Sequence, residues 1–134
     1  GDHLVLSDVC YAGVAELAHD ELTRNGIAVT TVDSSRPESI AAALRSNTRL
    51  VHIETPANPI LRLADIAAIA PLVHAAGAEL SVDATIATPL GLRPLELGAD
   101  YVVHSLTKYI CGHGDTLGGA VIGRAEAIAR LQRG

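Results

Sequence analysis

Tyr101-Val102-Val103-His104-Ser105-Leu106-Thr107-Lys108 is an apolar, partly β-branched run that ends in two hydroxyls and a lysine. Tyr101–Ser105 reads as a buried strand, with polar groups presented at its carboxyl end. Gly112-His113-Gly114-Asp115 and Gly118-Gly119 follow closely. Lys108 is the only lysine in the chain; the other nine of its ten basic residues are arginines. An ammonium closing a buried strand is costly unless it is paired or has a chemical task. Desolvation favours the free amine, which is a nucleophile toward carbonyls. Two readings therefore stand at this point: a Schiff-base lysine, or a strand-end lysine that snorkels to water.

Working outward, strands and helices alternate along the whole chain. Leu4–Ser7 reads as a short strand, 8–13 as a loop and Val14–Arg24 as a helix stopped by Asn25-Gly26. A β-branched strand spans Ile27–Asp33, and Ser34-Ser35-Arg36-Pro37-Glu38 opens a helix to about Arg45, with a hydroxyl as cap candidate. Arg49–Glu54 is the next strand, followed by the double-proline loop Thr55–Pro59. Asp65 opens a helix through Ala76, and Glu79–Val82 is a strand delivering Asp83. Pro94–Leu97 forms a short helix ended by Gly98, Ala120–Gly123 a last strand that reverses direction, and Ala125–Leu131 a helix. This alternation predicts an α/β fold with a mainly parallel sheet and flanking helices.

The composition agrees. Hydrophobic residues make up 49% of the 134, with no Phe, Trp or Met, so the core must be aliphatic, as suits helices on a buried parallel sheet. A net charge of −5, without a basic patch or aromatic platform, argues against a nucleic-acid surface. No apolar run reaches membrane-spanning length, and no secretory signal opens the chain. Cys10 and Cys111 lack CxxC spacing and read as free thiols of a reducing, cytoplasmic setting. Both ends look abrupt, which suggests a segment of a longer protein.

In an open α/β sheet, ligands bind beyond the carboxyl ends of the strands. There stand Tyr11 after the first strand, Asn58 after the third, Asp83 after the fourth, and Ser105, Thr107 and Lys108 after the fifth. An aromatic ring, an amide, a carboxylate, two hydroxyls and an amine suit a planar, phosphorylated, aldehyde-bearing heteroaromatic. Pyridoxal phosphate is such a molecule, requiring a lysine and a carboxylate for its ring nitrogen.

Glu54-Thr55-Pro56-Ala57-Asn58-Pro59, Val82-Asp83-Ala84-Thr85-Ile86-Ala87-Thr88-Pro89 and His104-Ser105-Leu106-Thr107-Lys108-Tyr109, with Gly112-His113-Gly114-Asp115 after them, together resemble the trans-sulfuration enzymes of cysteine and methionine metabolism. These are fold-type I pyridoxal-phosphate enzymes: cystathionine γ-synthases, cystathionine β- and γ-lyases, methionine γ-lyases and acylhomoserine sulfhydrylases. The resemblance implies that residues 1–134 are a segment of the family's large cofactor-binding domain, without the N-terminal arm, the upstream phosphate loop or the C-terminal domain. It implies the internal aldimine and proton shuttling for Lys108, the pyridinium partner for Asp83, and phosphate binding for Ser105 and Thr107. Tyr11 would stack on the ring and act as acid or base, and Asn58 would bond near the cofactor's phenolic oxygen and the substrate carboxylate.

The activity implied is γ-elimination or γ-replacement on a methionine-, cystathionine- or acylhomoserine-like substrate. Alternatives are β-elimination from cystathionine, or a non-catalytic cofactor-binding module for the isolated segment. The family builds its site across a dimer and is usually tetrameric. Ala84, Ile86, Leu106, Gly114 and the Tyr11-Ala12-Gly13 form depart from the family's usual residues but leave the chemical groups in place. His52, His74, His104 and His113 lack metal-ligand spacing, so structural roles are expected and no metal is.

Overall fold

The computed structural model describes residues 1–133 and forms three layers, helices on both faces of one six-stranded sheet. The strands are β1 (His3–Ser7), β2 (Ala28–Val32), β3 (Thr48–Glu54), β4 (Glu79–Asp83), β5 (Tyr101–Ser105) and β6 (Gly119–Gly123). Their order is β2-β1-β3-β4-β5-β6. β1 to β5 run parallel, and β6 alone is antiparallel, against β5. The α/β class, the parallel sheet and the reversed last strand are as the alternation predicts.

Alternation of side chains along the strands divides the core. Val5, Val51, Ile53, Leu80 and Val82 point to one face and meet Ile40 of α2 (Pro37–Ala43) and Ile66, Ile69 and Val73 of α3 (Ile66–Ala75). Leu4, Leu6 and Leu50 point to the other and meet Val14 of α1 (Ala12–Glu16) and Ala18 and Leu22 in the wider helical turns Leu17–Leu22. The strands read as nearly continuous apolar runs because both faces are covered.

Local chemistry explains the ends. Asp65 caps α3, its carboxylate accepting from the Ala68 amide at 3.0 Å. The serines before α2 do not cap it. Ser34 is buried against the Ser7 hydroxyl at 2.8 Å, and Ser35 donates its hydroxyl to Asp33 at 2.6 Å, so Arg36 stands at the N-cap without a side-chain bond. Two elements escaped the sequence reading, the short helix α4 (Thr88–Gly91) and the helical turn Leu106–Ile110; both are too short to show a period. The final helix, α5 (Ala125–Leu131), lies where expected.

Gly98 ends the short helical turn Pro94–Leu97 with φ +101°, and a Cβ there would lie 2.8 Å from the Ala70 Cβ. Gly98→Ala is therefore expected to destabilise the fold by about 1–3 kcal/mol, through the left-handed backbone and the collision with α3. Urea unfolding followed by circular dichroism measures it, with Gly91→Ala, where the nearest atom is at 3.7 Å, as the tolerated control.

Candidate active site

β1 and β3 are neighbours, yet the chain leaves β1 toward β2 on one side and reaches β3 on the other. The loops after these two strands therefore diverge and leave a crevice between them, where open α/β sheets bind ligands. A cleft of about 710 Å³ lies there, of the size that holds small molecules. It is lined by Tyr11, Asn58, Asp83, Ser105, Thr107 and Lys108, all six of the residues expected at the strand ends. Parallel register brings them together although they span almost a hundred positions: Glu54 is paired with Asp83, and Asp83 with Val103, two residues before Ser105.

The surroundings of each side chain differ from the expectations in useful ways. Lys108 does not close the buried strand. β5 ends at Ser105, and Lys108 lies in the turn beyond it, exposed, with a non-helical backbone (φ −91°, ψ −123°) interrupting that turn. The desolvation assumed from the sequence is thus absent in this chain. Tyr11 is 68% exposed at the start of α1, and its ring lies over Gly13, where a Cβ would fall 2.8 Å from Cε1. Asn58 is exposed as well.

Asp83 accepts from the Thr85 amide through Oδ1 at 2.9 Å, and the Thr85 hydroxyl in turn accepts from the Ser105 amide at 2.8 Å. Thr85 thereby ties the end of β4 to the end of β5. The Ser105 hydroxyl makes no hydrogen bond among the described residues. Thr107 is differently placed. Its hydroxyl donates to the Gly118 carbonyl at 3.2 Å and accepts from the Gly118 amide at 3.0 Å, so its one proton fastens the glycine-rich loop. To donate to a phosphate, that hydroxyl must release Gly118 O, which the Thr107 amide also holds, at 3.3 Å.

Among the lining residues without a role in the sequence reading, two make hydrogen bonds that shape the cleft. One is Thr85. The other is Glu54, only 7% exposed at the end of β3. Its Oε2 accepts from the Tyr11 amide at 2.8 Å and its Oε1 from the Asn58 amide at 2.9 Å. Burial pushes the Glu54 carboxyl above the usual carboxylate range, and the charge of Asp83 adds to the shift; the two amide bonds oppose it. The signal that found Asp83, a carboxylate ending a buried apolar strand, was equally present at Glu54. Cys10 sits half-buried beside them, its thiol pushed up by burial and by the charges of Glu54, Asp8 and Asp83.

Residues 1–133 match the family described as "Cys/Met metabolism PLP-dependent enzyme". The chain belongs to that family. It is 47% identical over 133 residues to a canavanine γ-lyase of Rhizobium leguminosarum, covering 98% of this chain and 33% of that one. It is 46% identical over 133 residues to an L-methionine γ-lyase of Porphyromonas gingivalis, with the same coverage. The crystal structure of metB from Corynebacterium glutamicum superimposes with a TM-score of 0.93 at 43% identity, covering 97% of this chain and 34% of that one. The chain thus spans about a third of the length of the curated relatives it matches. Its family is pyridoxal-phosphate-dependent, and no helix among the described residues is long and apolar enough to cross a membrane.

The Tyr11–Gly13 contact separates ring position from stability. Gly13 lies inside α1, where alanine is favoured over glycine by roughly 0.5–1 kcal/mol. Gly13→Ala is expected to leave the melting temperature unchanged or slightly raised while displacing the Tyr11 ring. Titration of the cofactor-free protein with pyridoxal phosphate should show affinity weakened several-fold; equal affinity would mean that the ring does not depend on the gap.

Proposed function

We propose that the protein carrying this chain is a pyridoxal-phosphate-dependent lyase or transferase acting at the γ-carbon of an amino acid, with Lys108 as the cofactor-bearing residue. The observation behind this reading is the convergence of one amine, one carboxylate and a free hydroxyl, Lys108, Asp83 and Ser105, on one cleft at the sheet's switch point. The donor set fits the cofactor: the amine for its aldehyde, the carboxylate for its ring nitrogen, the hydroxyl for its phosphate. Pyridoxal phosphate, when bound, supplies an aldehyde that condenses with amines and a ring that withdraws electrons from the substrate's α-carbon.

The chain's own residues do the rest. Asp83, one oxygen held by the Thr85 amide, keeps the ring nitrogen protonated with its negative charge. Lys108 would hold the cofactor's aldehyde carbon through Nζ, and its amine would be the group that takes and returns the substrate's α-proton. Ser105 donates to the phosphate, and Thr107 joins it on giving up its donation to Gly118. The Tyr11 ring, which lines the cleft, would stack on the cofactor, and its phenol would exchange a proton with the leaving group. Asn58 presents its amide to the cofactor's phenolic oxygen and the substrate carboxylate.

Canavanine and methionine, named for the two relatives, have different γ-substituents. Elimination at the γ-carbon is what those relatives share and is the reaction favoured here, with a sulfur amino acid or an analogue of one as substrate. A homo-oligomer and a cytoplasmic setting belong to the same reading.

Borohydride reduction of the full-length protein with pyridoxal phosphate, followed by peptide mapping, tests it. Cofactor fixed to Lys108 is expected, with loss of fixation in Lys108→Ala and a fall of about 10²–10⁴-fold in γ-elimination from methionine or canavanine. Fixation elsewhere, or none in a folded protein, overturns the assignment.

A further inference from the structure

Glu54 stands apart from the other groups of the cleft because it is buried and yet has no cation for company. The ion pairs among the described residues do not include it. What it has instead is two backbone amides, one at each oxygen, Tyr11 at 2.8 Å and Asn58 at 2.9 Å. Those amides belong to the loops after β1 and β3, whose divergence opens the crevice. A carboxylate that accepts from both loops spans the crevice floor and fixes the distance between them. Only an ionised carboxylate offers two strong acceptors of this kind; an amide offers one.

We propose that Glu54 is a positioning residue: its carboxylate clamps the Tyr11 and Asn58 loops together and thereby sets where the Tyr11 ring and the Asn58 amide meet the ligand in the cleft. The consequence for cofactor binding rests on the function proposed above. The clamp itself does not, since both bonds are made between groups of this chain.

Glu54 titrates among neighbours. Cys10 and Tyr11 face it from the loop after β1, with Asp8 beside Cys10, Asp83 faces it from β4 and His52 from its own strand, and Lys108, Tyr109 and His113 line the same cleft. Since burial raises its pKa, the folded protein protonates Glu54 before ordinary carboxylates as pH falls. The sign for global stability is the opposite of that for the clamp. Between the ordinary glutamate value and the raised one, the folded state holds the extra proton, so this group's contribution to stability decreases as pH rises through that window. The clamp, needing the ionised form, tightens over the same window.

The test is hydrogen exchange of the cofactor-free full-length protein, read by mass spectrometry on peptides covering Tyr11 and residues 56–59. The second peptide is selective, because Pro56 and Pro59 carry no amide proton and only Ala57 and Asn58 report. Glu54→Gln is expected to lower protection at the Tyr11 and Asn58 amides about tenfold or more, while peptides from the apolar centres of β3 and β4 keep theirs. In the wild type the same protection, corrected for intrinsic exchange, falls as pH is lowered through the Glu54 titration; in Glu54→Gln that step is missing. Pyridoxal phosphate should bind Glu54→Gln several-fold more weakly, with borohydride still fixing it to Lys108.

Unchanged protection in Glu54→Gln, or a pH step that persists in it, overturns the clamp. Lowered protection with unaltered cofactor affinity overturns its positioning role. Should Glu54→Gln not fold, the wild-type pH series decides alone, and a flat series refutes the proposal. Failure of fixation at Lys108 in the wild type is a separate result, which refutes the functional reading and leaves the exchange measurements valid.

Discussion

The cleft depends on the parallel register of β1, β3, β4 and β5. Side chains alternate between faces, so a slip of one residue would turn Glu54 and Asp83 away from the crevice and into the aliphatic layer under α2 and α3. Val51, Ile53, Leu80 and Val82 prevent this, for each is fully buried on that layer and would have to leave its packing there if the register moved. Burying one such side chain contributes roughly 1.5–3 kcal/mol. Four of them hold the register far more firmly than any polar contact of the cleft does. The positions of the chemical groups are therefore set by hydrocarbon packing on the opposite side of the sheet.

Charge in the cleft follows a similar economy. Glu54 and Asp83 are side by side on neighbouring strands, and the charge of Asp83 adds to the burial that raises the Glu54 carboxyl. Their partners are backbone amides, from Tyr11 and Asn58 for the first and from Thr85 for the second. Neither carboxylate is neutralised by Lys108, which takes part in none of the ion pairs among the described residues. An amine locked to a carboxylate would have to break that pair before meeting a carbonyl. Using amide dipoles instead leaves the one lysine unengaged and leaves net negative charge beside the place where a cationic ring nitrogen would sit.

The sheet, its order of elements and the rim of polar residues were legible because they rest on long-period signals: continuous aliphatic runs, glycine stops and polar residues just past strand ends. What escaped the sequence was short or reciprocal. The turn holding Lys108 is five residues long and shows no period, so nothing in the sequence beyond the strand end at Ser105 signals that the lysine is exposed. The hydroxyl of Thr107 looked free in sequence, since nothing there reveals that Gly118, eleven residues later, folds back to occupy it. Ser34 and Ser35 looked like helix caps, but the buried hydroxyl of Ser7 and the carboxylate of Asp33 compete for them. The role of Glu54 is not legible in sequence, because its partners are backbone groups that no side-chain pattern announces.

The comparisons gain a physical sense from this construction. A canavanine γ-lyase and a methionine γ-lyase share nearly the same identity with the chain, 47% and 46%, although the substrates they are named for end differently. On the proposed reading, residues 1–133 build the floor that holds the cofactor: the switch-point crevice, Asp83, the Ser105 hydroxyl and Lys108. That floor acts on the α-carbon and the ring, which are common to both reactions, and makes no demand on the γ-substituent. Tyr11 and Asn58 line the same cleft from the two loops that Glu54 joins, and on that reading they are the groups nearest the leaving group and the substrate carboxylate. Equal similarity to lyases of different leaving-group preference is what a stretch with this division of labour should display.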